Sequence, residues 1–246
     1  MHTIMVLNAK GGCGKTTIAT AVACYFAQSG FNTTLMDFDP QGSSARWLDT
    51  RRKDLPQIRA INAVRPKTGL TRSYQLYSGS ETEVVIIDTP AGIHGGHLMD
   101  LYRRADTILI PVMPSIIDLH AGESFFEEMT RLFKRSNHGK RIGVIANRVR
   151  LKTRSLESIE RMVMEAGFPL VGTLRDTQNY AVAMEAGLGI CELRTGGSIK
   201  DRRHWEPIID WLFQEIPRKA PELPLSDSET DKWQGSKLSP AKFAVN

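Results

Sequence analysis

The chain has 246 residues, 41% hydrophobic and 24% charged, enough to bury one sizeable core, so one domain is expected. Lysine and arginine number 32 against 27 aspartates and glutamates, a net charge of +5 that permits a polyanionic partner without establishing one. Three cysteines, Cys13, Cys24 and Cys191, with no C-x-x-C pair exclude a disulfide framework and a thiolate metal site. No apolar run reaches the roughly 18 residues of a membrane span, and no basic-then-apolar leader opens the chain, so a soluble cytoplasmic protein is expected.

In chain order, Thr3 to Asn8 reads as a strand that runs straight into the glycine-rich Ala9-Lys10-Gly11-Gly12-Cys13-Gly14-Lys15-Thr16-Thr17. Ile18, Ala19, Val22, Ala23 and Phe26 then recur at helical spacing until Ser29-Gly30, and Thr33 to Asp39 reads as the next strand. Glu83 to Asp88, Thr107 to Val112, Arg141 to Asn147 and Leu170 to Thr173 are further short apolar runs separated by helix-length stretches. This alternation predicts an α/β fold, a mostly parallel twisted sheet with helices on both faces. From Pro217 the composition turns to Pro, Ser, Lys and acidic residues, which reads as a tail over 217–246 beyond a domain of 1–216.

Gly11-Gly12-Cys13-Gly14-Lys15-Thr16, between a strand and a helix, is a phosphate-binding loop with its first glycine displaced from the usual G-x-x-x-x-G-K-[ST] spacing. Backbone N–H groups of such a loop close around phosphate oxygens, and the following helix adds its positive end. Lys15 neutralises phosphate charge, and the Thr16 hydroxyl can ligate Mg²⁺. Asp37 and Asp39 end the second strand at i and i+2, which places both on one face at the carboxyl edge where ligands bind; their competing reading is as caps for the next helix. Val84-Val85-Ile86-Ile87-Asp88 is an apolar strand ending in an acid that can hold Mg²⁺ through water. His94 and His97 have no third ligand spaced with them and read as loop histidines.

Lys10 before the glycines completes K-G-G-x-G-K-[ST], and with it residues 1–216 resemble the deviant-Walker P-loop ATPases of the ParA/MinD class (SIMIBI-like). The resemblance implies ATP and Mg²⁺ as cofactors and an ATP-dependent homodimer in which Lys10 reaches the partner's phosphates. It further implies that Asp39 positions the attacking water, that Asp37 and Asp88 support the metal with Thr16, and that Gln41 belongs to a nucleotide-sensing switch. Gly11, Gly12, Cys13, Gly14, Lys15, Thr16 and Thr17 would line the phosphates, and Asn147 would read the adenine edge. The catalytic set it implies is Lys10, Lys15 and Asp39.

Within the class, the end of the sequence contains Pro240 and no apolar stripe, which argues against membrane cycling, and the cysteines do not suit iron–sulfur carriers. The last tyrosine, Tyr180, argues against a tyrosine-rich kinase tail, and the immediate first strand argues against an added operator-reading module. The small ParA proteins remain, which position plasmids, chromosome regions or protein organelles such as carboxysomes. Their implied partners are nonspecific nucleoid DNA and a ParB-like or cargo-adaptor protein. Lys200, Arg202, Arg203 and Arg218 flank the last helix as DNA-binding candidates, with the group Arg148, Arg150, Lys152 and Arg154 in reserve. That group ends a stretch from Glu128 to Glu157 that has no carboxylate between those ends and also holds Arg131, Lys134, Arg135, Lys140 and Arg141; each also reads as a solvated helical charge. The alternative function is a P-loop ligase of the cobyrinate or dethiobiotin synthetase type, against which Lys10 weighs.

Overall fold

The computed structural model describes residues 1–63, 81–114, 116–135, 139–150 and 153–216. Five of its strands, β1 (His2–Val6), β2 (Thr33–Asp37), β4 (Val84–Asp88), β5 (Thr107–Val112) and β6 (Arg141–Val149), are runs of mainly apolar residues buried on both sides. That burial is what a parallel sheet with helices on each face requires. With β3 (Ile58–Asn62) and β7 (Leu170–Arg175) they form a seven-stranded sheet in the order β3-β2-β4-β1-β5-β6-β7, and every pairing is parallel.

Alternate strand residues feed two cores. Ile4, Val6, Leu35, Ile86 and Leu109 pack with α1 (Lys15–Gln28), α2 (Ser43–Thr50), α6 (Asn179–Glu185) and α7 (Ser198–Phe213). Met5, Leu7, Val85, Ile87 and Ile108 pack with α3 (Gly95–Arg104), α4 (Ile116–Arg135) and α5 (Arg154–Ala166). The period of two along each strand therefore assigns each side chain to one face.

Two features depart from the sequence expectation. Strand β3 carries no apolar run: Ile58 is buried, whereas Arg59, Ala60 and Asn62 are exposed at the sheet edge. Strand β2 ends at Asp37, so Asp39 lies in the following loop, and the same-face argument for the two carboxylates does not hold. The expected tail, 217–246, lies outside the described residues.

A buried ion pair joins the end of α2 to the segment before α7. Arg51 meets Glu192 through both terminal guanidinium nitrogens, at 2.7 and 2.6 Å, with side-chain exposures of 5% and 2%. Burial alone would raise the Glu192 carboxyl, yet the Arg51 fork and the Gly189 N–H at 2.8 Å carry it below its ordinary value. Beyond it, α7 packs tightly on β7: a Cβ added to Gly172 would lie 2.3 Å from Ile208 Cγ1. Gly172→Ala should therefore destabilise the fold by about 1–3 kcal/mol through overpacking. Urea unfolding checks this, and an unchanged midpoint would show that α7 yields freely.

Candidate functional site

The carboxyl ends of β1, β2 and β4 lie side by side, with Asp88 in register with Asp37 on one flank and with Val6 on the other. This is the edge at which open parallel sheets bind ligands. From β1 the chain enters the glycine loop, with Gly12 at φ 76° and Gly14 at φ 94°, conformations that disfavour a side chain. Gly14 is also the N-cap of α1, and no side chain caps that helix, which leaves its first turn facing the loop as an anion cradle.

The loop is tied down by groups that sequence reasoning did not single out. Asn8 donates to the Pro111 carbonyl at 2.7 Å and accepts the Lys10 N–H at 2.9 Å. The Gly92 N–H donates to the Ala9 carbonyl at 2.6 Å, and the Thr89 hydroxyl to Val6 at 2.8 Å. Asn8 and Thr89 each directly follow or nearly follow a strand-end motif, which is the signal that could have marked them. Lys15 is buried, and its Nζ lies across the loop, donating to the Lys10 carbonyl at 2.8 Å. Burial pushes the Cys13 thiol above its ordinary value although Lys15 opposes the shift, so Cys13 is no thiolate nucleophile.

Beside the loop stands Asp88, fully buried, with the Thr16 and Ser44 hydroxyls near it; among the described residues neither its oxygens nor the buried Ser44 hydroxyl at the start of α2 makes a hydrogen bond of full geometry. Burial raises the Asp88 carboxyl to about 7, the Thr16 and Ser44 hydroxyls moderate the rise, and the Asp37 and Asp39 carboxylates add to it. A cluster of buried, unsatisfied oxygens beside a phosphate cradle fits a cation held with phosphate. Asp88, Thr16 and Ser44 supply hard oxygen ligands of the type Mg²⁺ takes. No group of three His, Cys, Asp or Glu that could hold a metal occurs among the described residues, and a Mg²⁺ held mainly by phosphate and water needs none.

Asp37 is buried, and its two oxygens accept the N–H groups of Asp39 at 2.9 Å and Ala45 at 3.0 Å, so it anchors both the loop and the first turn of α2. The capping reading of Asp37 is thereby realised, and any metal contact would be additional to it. Asp39 is half-buried and accepts the Gln41 N–H at 2.9 Å; Gln41 is exposed. On the other side of the loop, Asn147, Gly14, Thr17, Arg148, Asp176 and Tyr180 line a cleft of about 270 Å³. Asn147 is buried there, its amide already bonded to the backbone.

The cationic candidates separate. Lys200 and Arg203 are exposed on α7, as is Arg194 just before it. Arg202 is not an open cation: it is half-buried and donates to the Leu193 carbonyl at 2.6 Å and to Ser198 at 3.0 Å, so its guanidinium holds the start of α7. In the basic stretch between Glu128 and Glu157, Arg141 stacks on Trp211 at 4.0 Å, and Lys140 bonds the Arg103 and Ala105 carbonyls. Arg131, Lys134, Arg135, Arg148, Arg150 and Arg154 are exposed. Arg218 and Lys152 lie outside the described residues.

A family model described as the CobQ/CobB/MinD/ParA nucleotide binding domain matches residues 4–190. The maintenance of carboxysome distribution protein A of Halothiobacillus neapolitanus is 28% identical over 197 residues, covering 79% of this chain and 89% of that protein. Its namesake from Gloeobacter kilaueensis is 30% identical over 219 residues, covering 87% and 94%. Among solved structures the fold is similar to an aspartate-to-alanine form of Cyanothece McdA in complex with ATP, with a TM-score of 0.66 at 19% identity over 89% of this chain and 98% of that one. It is also similar to pNOB8 ParA bound to nonspecific DNA, with a TM-score of 0.52 at 20% identity over 68% and 75%.

The raised Asp88 carboxyl gives the ligand-free protein a defined pH dependence. Between about pH 4 and pH 7 the folded carboxyl keeps a proton that the unfolded chain releases, so stability falls as pH rises through this window and levels off above it. Asp88→Asn lacks this contribution. It should be more stable than wild type at pH 8, by on the order of a few kcal/mol, with the gap closing towards pH 4. Urea unfolding in a chelator measures the difference, and a gap that does not vary with pH would contradict the assignment.

Proposed function

The chain belongs to the CobQ/CobB/MinD/ParA family of nucleotide-binding domains, and on that premise we propose that it is an ATPase that positions or segregates a cargo through an ATP-dependent homodimer on nonspecific DNA. The observation that carries this reading is the juxtaposition of the glycine loop, the buried Lys15 and the unsatisfied Asp88 carboxylate at one sheet edge. The carboxysome-distribution relatives favour positioning over the ligase chemistry that other members of the family perform.

In this reading the backbone of Gly11 to Thr17 and the Lys15 ammonium hold the β and γ phosphates of ATP. Mg²⁺, when bound, offsets phosphate charge and fixes the geometry of the phosphates. Thr16 and Asp88 would hold it, with Asp37 in support. Lys10 crosses to the phosphates of the partner subunit, so dimerisation completes the site. Asp39 orients a water for in-line attack and accepts its proton, and Gln41 beside it reports the state of the loop. Asn147, lining the cleft beside the loop, would face the base.

Lys200 and Arg203, exposed on α7, are the leading DNA contacts, with Arg218 as a further candidate; Arg202 supports them by fixing the helix start. A homodimer would double such contacts, and because each neutralised phosphate adds about 0.9 to the log–log salt slope, dimerisation would act as a steep switch. A ParB-like or cargo-adaptor protein would stimulate hydrolysis and release the dimer from DNA. No helix among the described residues is long and apolar enough to cross a membrane, and the reading assigns the protein to the nucleoid in the cytoplasm.

Asp39→Ala should bind ATP, lose hydrolysis by roughly a hundredfold or more and remain on DNA of unrelated sequences in MgATP. Joint removal of the Lys200 and Arg203 charges should weaken that retention and flatten its salt dependence while basal turnover persists. Turnover and DNA retention are read on the same preparations. Wild-type turnover in Asp39→Ala removes it from the mechanism, and absence of DNA binding by wild type in every nucleotide state removes the DNA carrier.

A further inference from the structure

We infer that Asn147 is a positioning residue of the phosphate loop: its carboxamide clamps the Cys13 carbonyl and thereby aims the Gly14 N–H at the phosphates, independently of which base is bound. This rests on the nucleotide reading above and departs from the expectation that Asn147 serves chiefly to recognise adenine.

Asn147 is 6% exposed, and both ends of its amide are engaged. Nδ2 donates to the Cys13 carbonyl at 2.8 Å, and Oδ1 accepts the Arg148 N–H at 3.0 Å. One neighbour can only accept and the other can only donate, so the amide has a single orientation. The backbone pays for this arrangement locally. Arg148 has φ 52°, the one positive value at a non-glycine position among the described residues, and the register of β6 against β7 shifts between Ala146 and Val149. The strained turn delivers the Arg148 N–H to Oδ1 and leaves Nδ2 pointing at the loop.

Across the contact, Gly14 fits only as glycine. Its φ is 94°, and a Cβ there would lie 2.3 Å from Asn147 Nδ2. The Cys13–Gly14 peptide is a planar trans unit, and no cis peptide bond occurs among the described residues, so C=O and N–H point in opposite directions. Holding the Cys13 carbonyl inward against Asn147 therefore turns the Gly14 N–H outward, at the point where the loop becomes helix α1. Without the clamp the peptide can rotate, and a bound phosphate must order it.

The test measures the affinity of Mg²⁺ complexes of ATP, GTP and inorganic tripolyphosphate for wild type and Asn147→Ala, with Asn147→Leu as a variant of similar volume. Thermal unfolding verifies the fold of each, and amide hydrogen exchange reads the ligand-free loop. Positioning predicts that ATP, GTP and tripolyphosphate all weaken by one common factor, roughly tenfold for a buried hydrogen bond that leaves its carbonyl unpaired. It also predicts faster exchange over residues 13–16 with β1 and β4 still protected. A loss confined to ATP, or larger for ATP than for tripolyphosphate, overturns the inference and returns Asn147 to base recognition, while the nucleotide reading stands. Wild-type protein that binds none of the three overturns both.

Discussion

A carboxylate buried at the end of a central strand, with the Thr16 and Ser44 hydroxyls beside it but no well-formed hydrogen bond among the described residues, is the constraint around which this molecule is organised. Removing a charge from water without compensation is among the largest costs a fold can carry, and Asp88 meets it in the ligand-free chain by holding its proton up to about pH 7. The sheet order creates the situation. Strand β4 lies between β2 and β1, so Asp88 is flanked in register by Asp37 and Val6, and helices α1 and α2 bring Thr16 and Ser44 over it. Such a group is stabilised once a cation supplies the missing partner, which links the buried acid to the adjoining anion cradle.

The cradle is correspondingly rigid. Asn8, Thr89, Gly92 and Asn147 lash the loop after β1 to the ends of β5, β4 and β6, so its shape is largely set before phosphate arrives. Helix α2 is fixed at both ends, by Asp37 accepting from Ala45 and by Arg51 paired with Glu192. The segment between, Phe38 to Gly42, is thus suspended from two firm points and carries Asp39 half-buried and Gln41 exposed. A nucleotide-dependent movement that begins in that segment would be passed to α2, and through Arg51 and Glu192 to the stretch whose Leu193 carbonyl is held by Arg202 at the start of α7.

Much of this was legible in the sequence because the central strands are unbroken apolar runs with a glycine loop or an acid at their ends. Strand β3 was not, since an edge strand with one buried side chain leaves no apolar signature. Asn147, expected at a strand end, lies inside β6, which runs on to Val149, whereas the phosphate loop and Asp88 followed from local spacing. The partners of these groups did not: that Ser44 would stand over Asp88, or that Asn147 would reach Cys13, 134 residues away in sequence, depends on strand order. Charge was the least legible property. Arg202, Lys140 and Arg141 resemble their exposed neighbours in sequence, yet their cations are committed to carbonyls or to an indole face.

The most direct test of the account is diffraction at the manganese edge from crystals grown with a non-hydrolysable ATP analogue and Mn²⁺. It predicts the triphosphate along residues 11–17 and one anomalous peak between the Thr16 hydroxyl and Asp88, bound to the carboxylate directly or through one water. A nucleotide seated elsewhere, or a metal bound with the Asp88 oxygens still unpartnered, would contradict it.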